Sequence, residues 1–535
     1  MTTSPPSSDD DLLPILQRAI PTATSYRHAD GIISQANAEG ARILARYPST
    51  VSEKLQDDDD DGDGDGDGDG EMAASDTANR RSHEHDSRLV VSASQPHRRD
   101  VGEDDYEETE LFLKRVRAST YAHKSWTDMR RTLVYLRTEV RFYNEFVPLL
   151  LSSSSSSSSS NSKEESRTGL RDTIPKCYHA AYDLEGLVRE SSPATDVRAP
   201  SPFPATATAP PPSLQRKGGH ILLQSLSTPS RFQSSPLTPR QSLSCLRSLA
   251  EFHAASLGNA PLLTLASRRL SPAGGSYHLR FRNPEEVRRI EESWEGFRRR
   301  FWEGMDDIVK QGRGRDWKRL LEKEGVANLG RRMRDMAEWV SDRLTPGAEE
   351  DGAVLVHGDF KAMNVFLPSE LQTHSPDVTT TIIEPHDIHA IPPAILIDFS
   401  CVGIGHPLSD VAMHIAHALP PHHLQNGGED RLVEAYLLAL ERAVRGRRGE
   451  KKDSSWTFPR EEARRQYRLA CVDYARFIMG RFWRTASPET FENKRGSGNT
   501  TLINRDVDAA MAFVEKVDGY LEMFEKERER ECGKE

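Results

Sequence analysis

Two polar clusters follow short apolar runs in the second half of the sequence. In VLVHGDFKAMNVFL, apolar residues flank four polar ones, which are His357, Asp359, Lys361 and Asn364. In AILIDFSCVGIGHP, Asp398 directly follows the apolar run 394–397. Short apolar runs of this kind are typical of buried strands. Two such strands can pair, and pairing would bring Asp359, Asn364 and Asp398 to one end of a hairpin.

Side chains of these types in one place are suited to phosphoryl transfer. Mg²⁺ is a hard cation that prefers oxygen ligands, so Asn364 and Asp398 are predicted to hold it. Asp359 is predicted to orient an acceptor hydroxyl and take its proton, and Lys361 could reach the transferring phosphate. An Asp and an Asn in one loop are also common turn formers, so this loop alone leaves both interpretations open.

Longer segments resemble a known group of enzymes. HGDFKAMN resembles the HGD-x-x-x-x-N catalytic loop of the aminoglycoside phosphotransferase and choline kinase group, and more loosely the protein kinase loop. IDFSCVGIGHPLSDVAMHI resembles the metal-binding segment that follows in that group. LRSLAEFHAASL and FYNEFVP resemble segments of its ecdysteroid kinase-like branch, and the matching blocks span 111–415. The resemblance implies an enzyme that uses ATP and Mg²⁺ and phosphorylates a hydroxyl of a small molecule.

The resemblance also assigns residues upstream. Lys114 in LFLKRV resembles the lysine that holds the α- and β-phosphates, and Glu139 in RTEVRFY resembles the glutamate that pairs with it. Glu139 lies beside the apolar stripe of a predicted helix, where a carboxylate needs a cationic partner. Lys124 and Glu145 remain alternatives for the two positions.

Three further assignments follow from the same resemblance. The backbone near Leu223 and Leu226 is expected to contact the adenine. Asp410 is expected to brace the catalytic loop from the start of the next helix. A loose turn with Gly31, Ser34 and Gly40 is the best candidate for the loop that covers the phosphates, although glycines alone are weak support.

The secondary structure predicted to position these residues changes from strand-rich to helix-rich along the chain. Strands are predicted at 89–94, 110–116, 174–183 and 219–226. Helices are predicted at 133–147, 243–257, 284–309, 316–344, 410–419, 430–444, 460–483 and 506–524. This order predicts an α+β, bilobed protein kinase-like fold. Residues 1–226 would form the small nucleotide-binding lobe, and 227–535 the larger helical lobe with the catalytic loop.

Three low-complexity insertions are expected to be disordered, at about 52–88, 152–168 and 191–216. The first contains DDDDDGDGDGDGDG at 57–70. Residues Asp65, Asp67, Asp69 and Gly70, with Asp76 further on, fit part of a calcium-binding loop, but no flanking helix pair is indicated. A histidine cluster could instead suggest a transition metal, with members His406, His414, His417, His422 and His423. Its nearest additional ligands, Asp410 and Cys401, are already used by the kinase-like interpretation.

Composition limits the other functions. The 535 residues carry a net charge of -11, which gives no reason to expect nucleic-acid binding. Five scattered cysteines favour a reducing compartment. The start of the chain lacks signal-peptide features, and no apolar run is long enough to span a membrane, so a cytoplasmic protein is expected. A catalytically silent kinase-like binding protein is the main alternative, a protein kinase is a weaker one, and no protein partner is indicated.

Overall fold

The structure is a computed structural model. It describes residues 12–28, 33–35, 38–48, 106–121, 124–152, 169–188, 214, 216–226, 229–271, 284–372, 384–448 and 457–533. The predicted strand 89–94, the insertion 52–88 and nearly all of the insertions 152–168 and 191–216 lie outside these residues.

Contacts divide the chain into two units. The first is Met1–Tyr26 with Ala45–Thr109, and the second is Arg27–Leu44 with Glu110–Glu535. In the first unit, the backbone N–H of Thr24 donates to the carbonyl of Arg46 (3.0 Å). The second unit contains every residue proposed for the site.

The strands are β1 (Ser25–His28), β2 (Ile33–Gln35), β3 (Ala38–Pro48), β4 (Tyr106–Arg117), β5 (Cys177–Asp183), β6 (Gly218–Gln224), β7 (Arg231–Phe232), β8 (Val354–Val356), β9 (Val365–Pro368), β10 (Ile395–Leu396) and β11 (Gly403–Gly405). In the second unit, the main sheet has the order β3-β4-β6-β5, with β2 paired to β3. Strands β10, β9 and β7 form a second sheet, and β11 and β8 a third. The predicted strands at 110–116, 174–183 and 219–226 are thereby confirmed as β4, β5 and β6.

The helices are α1 (Leu12–Ala19), α2 (Trp126–Arg141), α3 (Val147–Ser152), α4 (Pro239–Ala254), α5 (Ala260–Arg269), α6 (Pro284–Arg288), α7 (Ile290–Glu303), α8 (Met305–Lys310), α9 (Lys318–Glu322), α10 (Glu324–Ala327), α11 (Leu329–Arg343), α12 (Leu408–Ala418), α13 (Pro421–Leu424), α14 (Gly428–Arg448), α15 (Arg460–Ile478), α16 (Pro488–Lys494) and α17 (Val507–Cys532). Two π-helical turns, Phe142–Phe146 and Met479–Trp483, extend α2 and α15. A sheet-containing first part and a larger helical second part confirm the predicted α+β class.

The predicted helix end near Pro148 is wrong. The π-helical turn leads directly from α2 into α3, which continues to Ser152. Proline lacks an N–H and its ring clashes with the carbonyl four residues earlier, so an ordinary α-helix would break there. The N–H of Val147 instead reaches back five residues to the carbonyl of Phe142, and this wider turn admits the proline.

One hydrophobic cluster fills the second unit and connects its sheets to its helices. Helix α2 packs on β5 and β6, α4 on α14, α12 on α15, and α7 on α11. Burial of these apolar faces supplies most of the driving force for folding. Within the described residues, none of the helices combines the length and apolar composition needed to cross a bilayer.

Candidate active site

A partly buried ion triplet joins the main sheet to the region after β10. Lys114 Nζ lies 2.6 Å from Glu139 Oε2 and 2.8 Å from Asp398 Oδ1. Lys114 projects from β4 on the same face as Val116, which belongs to the hydrophobic cluster, and α2 carries Glu139 across from it. Its amine therefore links two carboxylates that the sequence places far apart.

The charges in this triplet shift the pKa values of its members. Burial lowers the pKa of Lys114, but the carboxylates of Asp398 and Glu139 outweigh burial and hold it above its usual value. Burial would raise the pKa of Asp398, yet Lys114 and Lys361 keep it below its ordinary range. Glu139 is only 1% exposed, and burial raises its pKa to about 7 although Lys114 opposes the shift. Lys114 and Asp398 are thus both charged at neutral pH.

An aromatic cluster fixes the position of Asp398. The ring of the next residue, Phe399, stacks on Phe142 at 4.2 Å and packs edge-on against Tyr143 at 6.0 Å. Both partners belong to the π-helical turn that follows Glu139, so the same turn orients the helix and the aspartate. Asp398 itself has a left-handed backbone (φ 64°, ψ 60°), a conformation that is uncommon outside glycine and that occurs at functional sites.

The predicted pairing of the two apolar runs is confirmed. Strands β9 and β10 are antiparallel, with Ile395 opposite Phe366 and Leu396 opposite Val365. The N–H of Ile397 then donates to the carbonyl of Asn364 (2.9 Å). Asn364 and Asp398 are consequently neighbours across the end of this pair of strands.

The loop between β8 and β9 holds its polar side chains in one network. Lys361 Nζ donates to Asp359 Oδ2 (2.9 Å), and Asn364 Nδ2 donates to the carbonyl of Asp359 (2.8 Å) and more weakly to the same Oδ2 (3.3 Å). Among the described residues, none donates to Asp359 Oδ1. One oxygen of this carboxylate is therefore held in place and the other is available to a ligand.

Asp410, near the start of α12, braces this loop from inside the protein. It is buried, and it accepts the N–H groups of His357 (2.6 Å) and Gly358 (2.9 Å). His253 Nε2 lies 3.1 Å from the same carboxylate, and His253 Nδ1 lies 2.7 Å from the Tyr436 hydroxyl. His253 is therefore a hydrogen-bonded packing residue.

A cleft of about 640 Å³ opens beside these groups. Asp359, Lys361 and Asp398 all line it, so the two carboxylates face the same space. The side chain of Asp398 is 30% exposed and that of Asp359 is 19% exposed, so both are accessible. The remaining wall comes largely from α2 and from the segment between Tyr474 and Asn504, which the sequence did not indicate.

The π-helical turn 479–483 carries part of that wall. Trp483 is fully buried, stacks on Phe297 at 4.4 Å and donates from Nε1 to Asn504 Oδ1 (2.8 Å). Arg300 donates to the carbonyls of Trp483 and Arg484 (3.1 and 2.9 Å), which satisfies groups left open at the end of the helix. With Trp483 anchored, Arg481 and Phe482 line the cleft.

The structure also locates the alternatives. Lys124 lines the cleft but lies over the ring of Tyr121 (4.5 Å), and Glu145 pairs with Arg269, so neither joins the triplet.

Leu223 and Leu226, the expected adenine contacts, are buried and are not among the residues that line the cleft. In the candidate phosphate loop, Ser34 and Gly40 belong to the β2–β3 hairpin. Gly31, like the calcium-loop residues 65–76, lies outside the described residues.

Oxygen ligands for a magnesium ion are present. Asn364 uses its amide nitrogen for Asp359, which leaves its oxygen for a metal, and no described residue donates to Asp398 Oδ2. These donors fit the preference of Mg²⁺ for carboxylate and amide oxygens.

In the part of the chain that the structure describes, no group of three or more His, Cys, Asp or Glu side chains is placed to hold a metal. His414 bonds Ser242 (2.9 Å), and burial lowers its pKa to about 3.

Comparison with known proteins gives a distant structural likeness. No protein-family model matches the chain, and no curated protein matches it. A provisionally named aminoglycoside phosphotransferase from Ralstonia eutropha has 10% identity and a TM-score of 0.37, with 96% of this chain and 98% of that chain covered. An aminoglycoside phosphotransferase from Alicyclobacillus acidocaldarius has 10% identity and a TM-score of 0.33, with 99% and 98% covered. Choline kinase LicA from Streptococcus pneumoniae has 9% identity and a TM-score of 0.32, with 77% and 87% covered. Likeness at this level decides neither the substrate nor the activity.

Proposed function

We propose that this protein is an ATP- and Mg²⁺-dependent phosphotransferase whose acceptor is a hydroxyl group of a small molecule. The observation that carries the proposal is the contact of Lys114 with both Glu139 and Asp398, beside a cleft that Asp359 also lines. A lysine held by two carboxylates is positioned for nucleotide phosphates, and one of those carboxylates is exposed enough to hold a metal.

Each residue has a distinct role in this proposal. Lys114 binds the α- and β-phosphates, and Glu139 holds its amine in place. Asp398 and Asn364 bind Mg²⁺, which would neutralise phosphate charge when present. The free oxygen of Asp359 accepts a hydrogen bond from the acceptor hydroxyl and takes its proton during transfer.

Lys361 is proposed to serve the same step. Its amine bonds Asp359, whose charge raises the pKa of Lys361 above its usual value even though burial opposes the shift. Lys361 therefore stays protonated, holds Asp359 in one orientation and offers positive charge to the transferring phosphate. Electrostatic positioning of this kind accounts for much of the rate gain in phosphoryl transfer.

Several finer expectations are also proposals. They are the adenine contact near Leu223 and Leu226, the division into lobes at residues 226 and 227, and a cytoplasmic location. The likeness of FYNEFVP and LRSLAEFHAASL to the ecdysteroid kinase-like branch favours that branch of the small-molecule kinases.

The test combines nucleotide binding with catalysis. Calorimetry of the full chain should show MgATP binding, and a screen of small alcohols should reveal acceptors that release ADP. Asp359→Ala should lower turnover by several orders of magnitude, roughly 10³-fold or more, while MgATP still binds. Asp307→Ala, which removes an exposed carboxylate on α8, is the matched control.

Two results would contradict the proposal. Transfer by Asp359→Ala at the rate of the original chain would show that Asp359 is not the base. Failure of the original chain to bind MgATP would favour the silent kinase-like binding protein instead.

A further inference from the structure

The charge of the cleft is opposite to the charge of the chain. The whole sequence carries -11. Beyond Asp359, Lys361 and Asp398, the described residues that line the cleft include one carboxylate, Asp128, and four cationic side chains, which are Lys124, Arg131, Arg481 and Lys494. The wall of the cleft around the proposed catalytic carboxylates is therefore locally positive.

Two of these cations are only weakly neutralised. Arg131 is not one of these two, because it is paired with Asp128 (3.2 Å) on the surface of α2. Arg481 has its nearest ion-pair contact with Glu286 at 4.0 Å, the outer limit for a salt bridge, and is 36% exposed. Lys494, at the end of α16, is exposed and forms no ion pair with any carboxylate that the structure describes. Arg481 and Lys494 can consequently give their charge to a ligand.

An exposed aromatic side chain lies beside them. Phe482 is 40% exposed although it lines the cleft, and Phe477 contacts it edge-on at 5.5 Å. The guanidinium of Arg481 lies 5.8 Å from the same ring. Large aromatic side chains are usually buried, so one left open inside a cleft is suited to covering a flat apolar group of a ligand.

We propose that the acceptor is an alcohol that carries an anionic group on an aromatic or other flat apolar body. Arg481 and Lys494 bind the anionic group and Phe482 packs against the body. Phosphate transfer to this alcohol rests on the proposed function. The preference of the cleft for an anionic ligand does not depend on it. It disfavours polycationic acceptors, because like charges in a partly desolvated cleft repel each other.

The preference can be measured with three benzyl alcohols whose para substituent is anionic, neutral or cationic. They are 4-(hydroxymethyl)benzoate, 4-(hydroxymethyl)benzamide and 4-(hydroxymethyl)benzylamine, titrated into the full chain and followed by calorimetry or saturation-transfer NMR. The benzoate should bind about 10-fold more tightly than the amide, and the amine most weakly. Phe482→Ala should weaken all three probes by a similar factor.

The double variant Arg481→Gln/Lys494→Gln should remove the advantage of the benzoate and leave the amide unchanged. Arg484→Gln/Arg495→Gln is its matched control, because it makes the same change in net charge at exposed neighbours that do not line the cleft. The control should retain the benzoate preference, which would exclude a general effect of net charge.

Three outcomes overturn the inference: tightest binding of the amine, an unchanged benzoate preference in Arg481→Gln/Lys494→Gln, or no binding of any probe. A parallel MgATP titration separates this result from the proposed function. Benzoate preference without MgATP binding would refute the phosphotransferase but keep the anionic ligand preference of the cleft. MgATP binding without the benzoate preference would keep the phosphotransferase and refute the anionic acceptor.

Discussion

Lys114 and Asp398 are in contact (2.8 Å) although 284 residues separate them in the sequence. The contact joins strand β4 to the segment that follows β10, and Glu139 completes it from α2. Every proposed step depends on this arrangement, because it puts a phosphate-binding amine and a metal-binding carboxylate at one place. Changing its members is therefore the most direct way to test the site.

Replacement of Lys114 by methionine should impair nucleotide use. The variant keeps the length and apolar stem of the side chain but removes the charge that Glu139 and Asp398 share. We expect kcat/KM for ATP to fall about 100-fold or more, as for loss of a principal phosphate contact. Lys176→Met is the control, since Lys176 precedes β5 and lies over the ring of Tyr178. Equal kinetics for the two variants would show that Lys114 does not bind the nucleotide.

The raised pKa of Glu139 makes stability depend on pH. Burial raises this pKa from 4.5 to about 7, so the folded chain binds the proton more tightly than the unfolded chain. The resulting stabilisation is fully present below pH 4.5 and is lost as the pH rises through 7. The Glu139→Gln variant has no titrating proton at this position, so its free energy of unfolding should lack this pH-dependent contribution.

Urea unfolding of both proteins without nucleotide measures the effect. Between about pH 5 and about pH 8, the free energy of unfolding of the original chain should fall relative to that of Glu139→Gln by up to about 3 kcal/mol. Taking the difference cancels the contributions of other titrating groups, including buried His414. Parallel curves for the two proteins would mean that Glu139 titrates normally.

Asp410 should act as a positioning residue. Asp410→Asn places an amide N–H₂ where an oxygen now accepts the backbone N–H of His357 or Gly358, which should cost about 2–4 kcal/mol of stability. Because the loop that carries Asp359 loses its brace, kcat should fall about 10-fold or more while KM for ATP changes little. A variant with lower stability but normal kcat would show a purely structural role.

A matched variant separates the two effects. Leu521 is fully buried in α17, and Leu521→Ala should cost about 2–5 kcal/mol. Assayed well below its melting temperature, Leu521→Ala should keep a normal kcat. A loss of kcat equal to that of Asp410→Asn would attribute the Asp410 effect to stability alone.

The sequence predicted the parts of the site that depend on local pattern. The apolar runs beside Asp359 and Asp398 indicated two strands, and these strands do pair as β9 and β10. The same runs explain why both carboxylates reach one end of the hairpin. The pairing of Lys114 with Glu139 came from resemblance. The contact of Lys114 with Asp398 was not predicted, since no local pattern relates residues so far apart.

Other features could not be predicted because they depend on distant packing. The π-helical turn that lets the chain continue past Pro148 has no sequence signature of its own, and helix-breaking by proline is the ordinary outcome. Likewise, Phe482 and Arg481 face the cleft because Trp483 is anchored on Phe297, far earlier in the chain. The left-handed backbone of Asp398 has no sequence signature of its own, and the aromatic packing of Phe399 holds the segment that contains it.

Gly358 offers a test of the loop backbone. Gly358 (φ 76°) and Gly352 (φ 83°) both have left-handed backbones, on opposite sides of β8. Alanine at either position should cost roughly 1–2 kcal/mol, because a Cβ disfavours this conformation. Only Gly358 lies beside Asp359 and donates its N–H to Asp410, so only Gly358→Ala should also lower kcat, by about 10-fold. Urea unfolding and steady-state kinetics on both variants check this, and a similar loss of kcat in Gly352→Ala would show that general strain near β8, rather than the placement of Asp359, limits turnover.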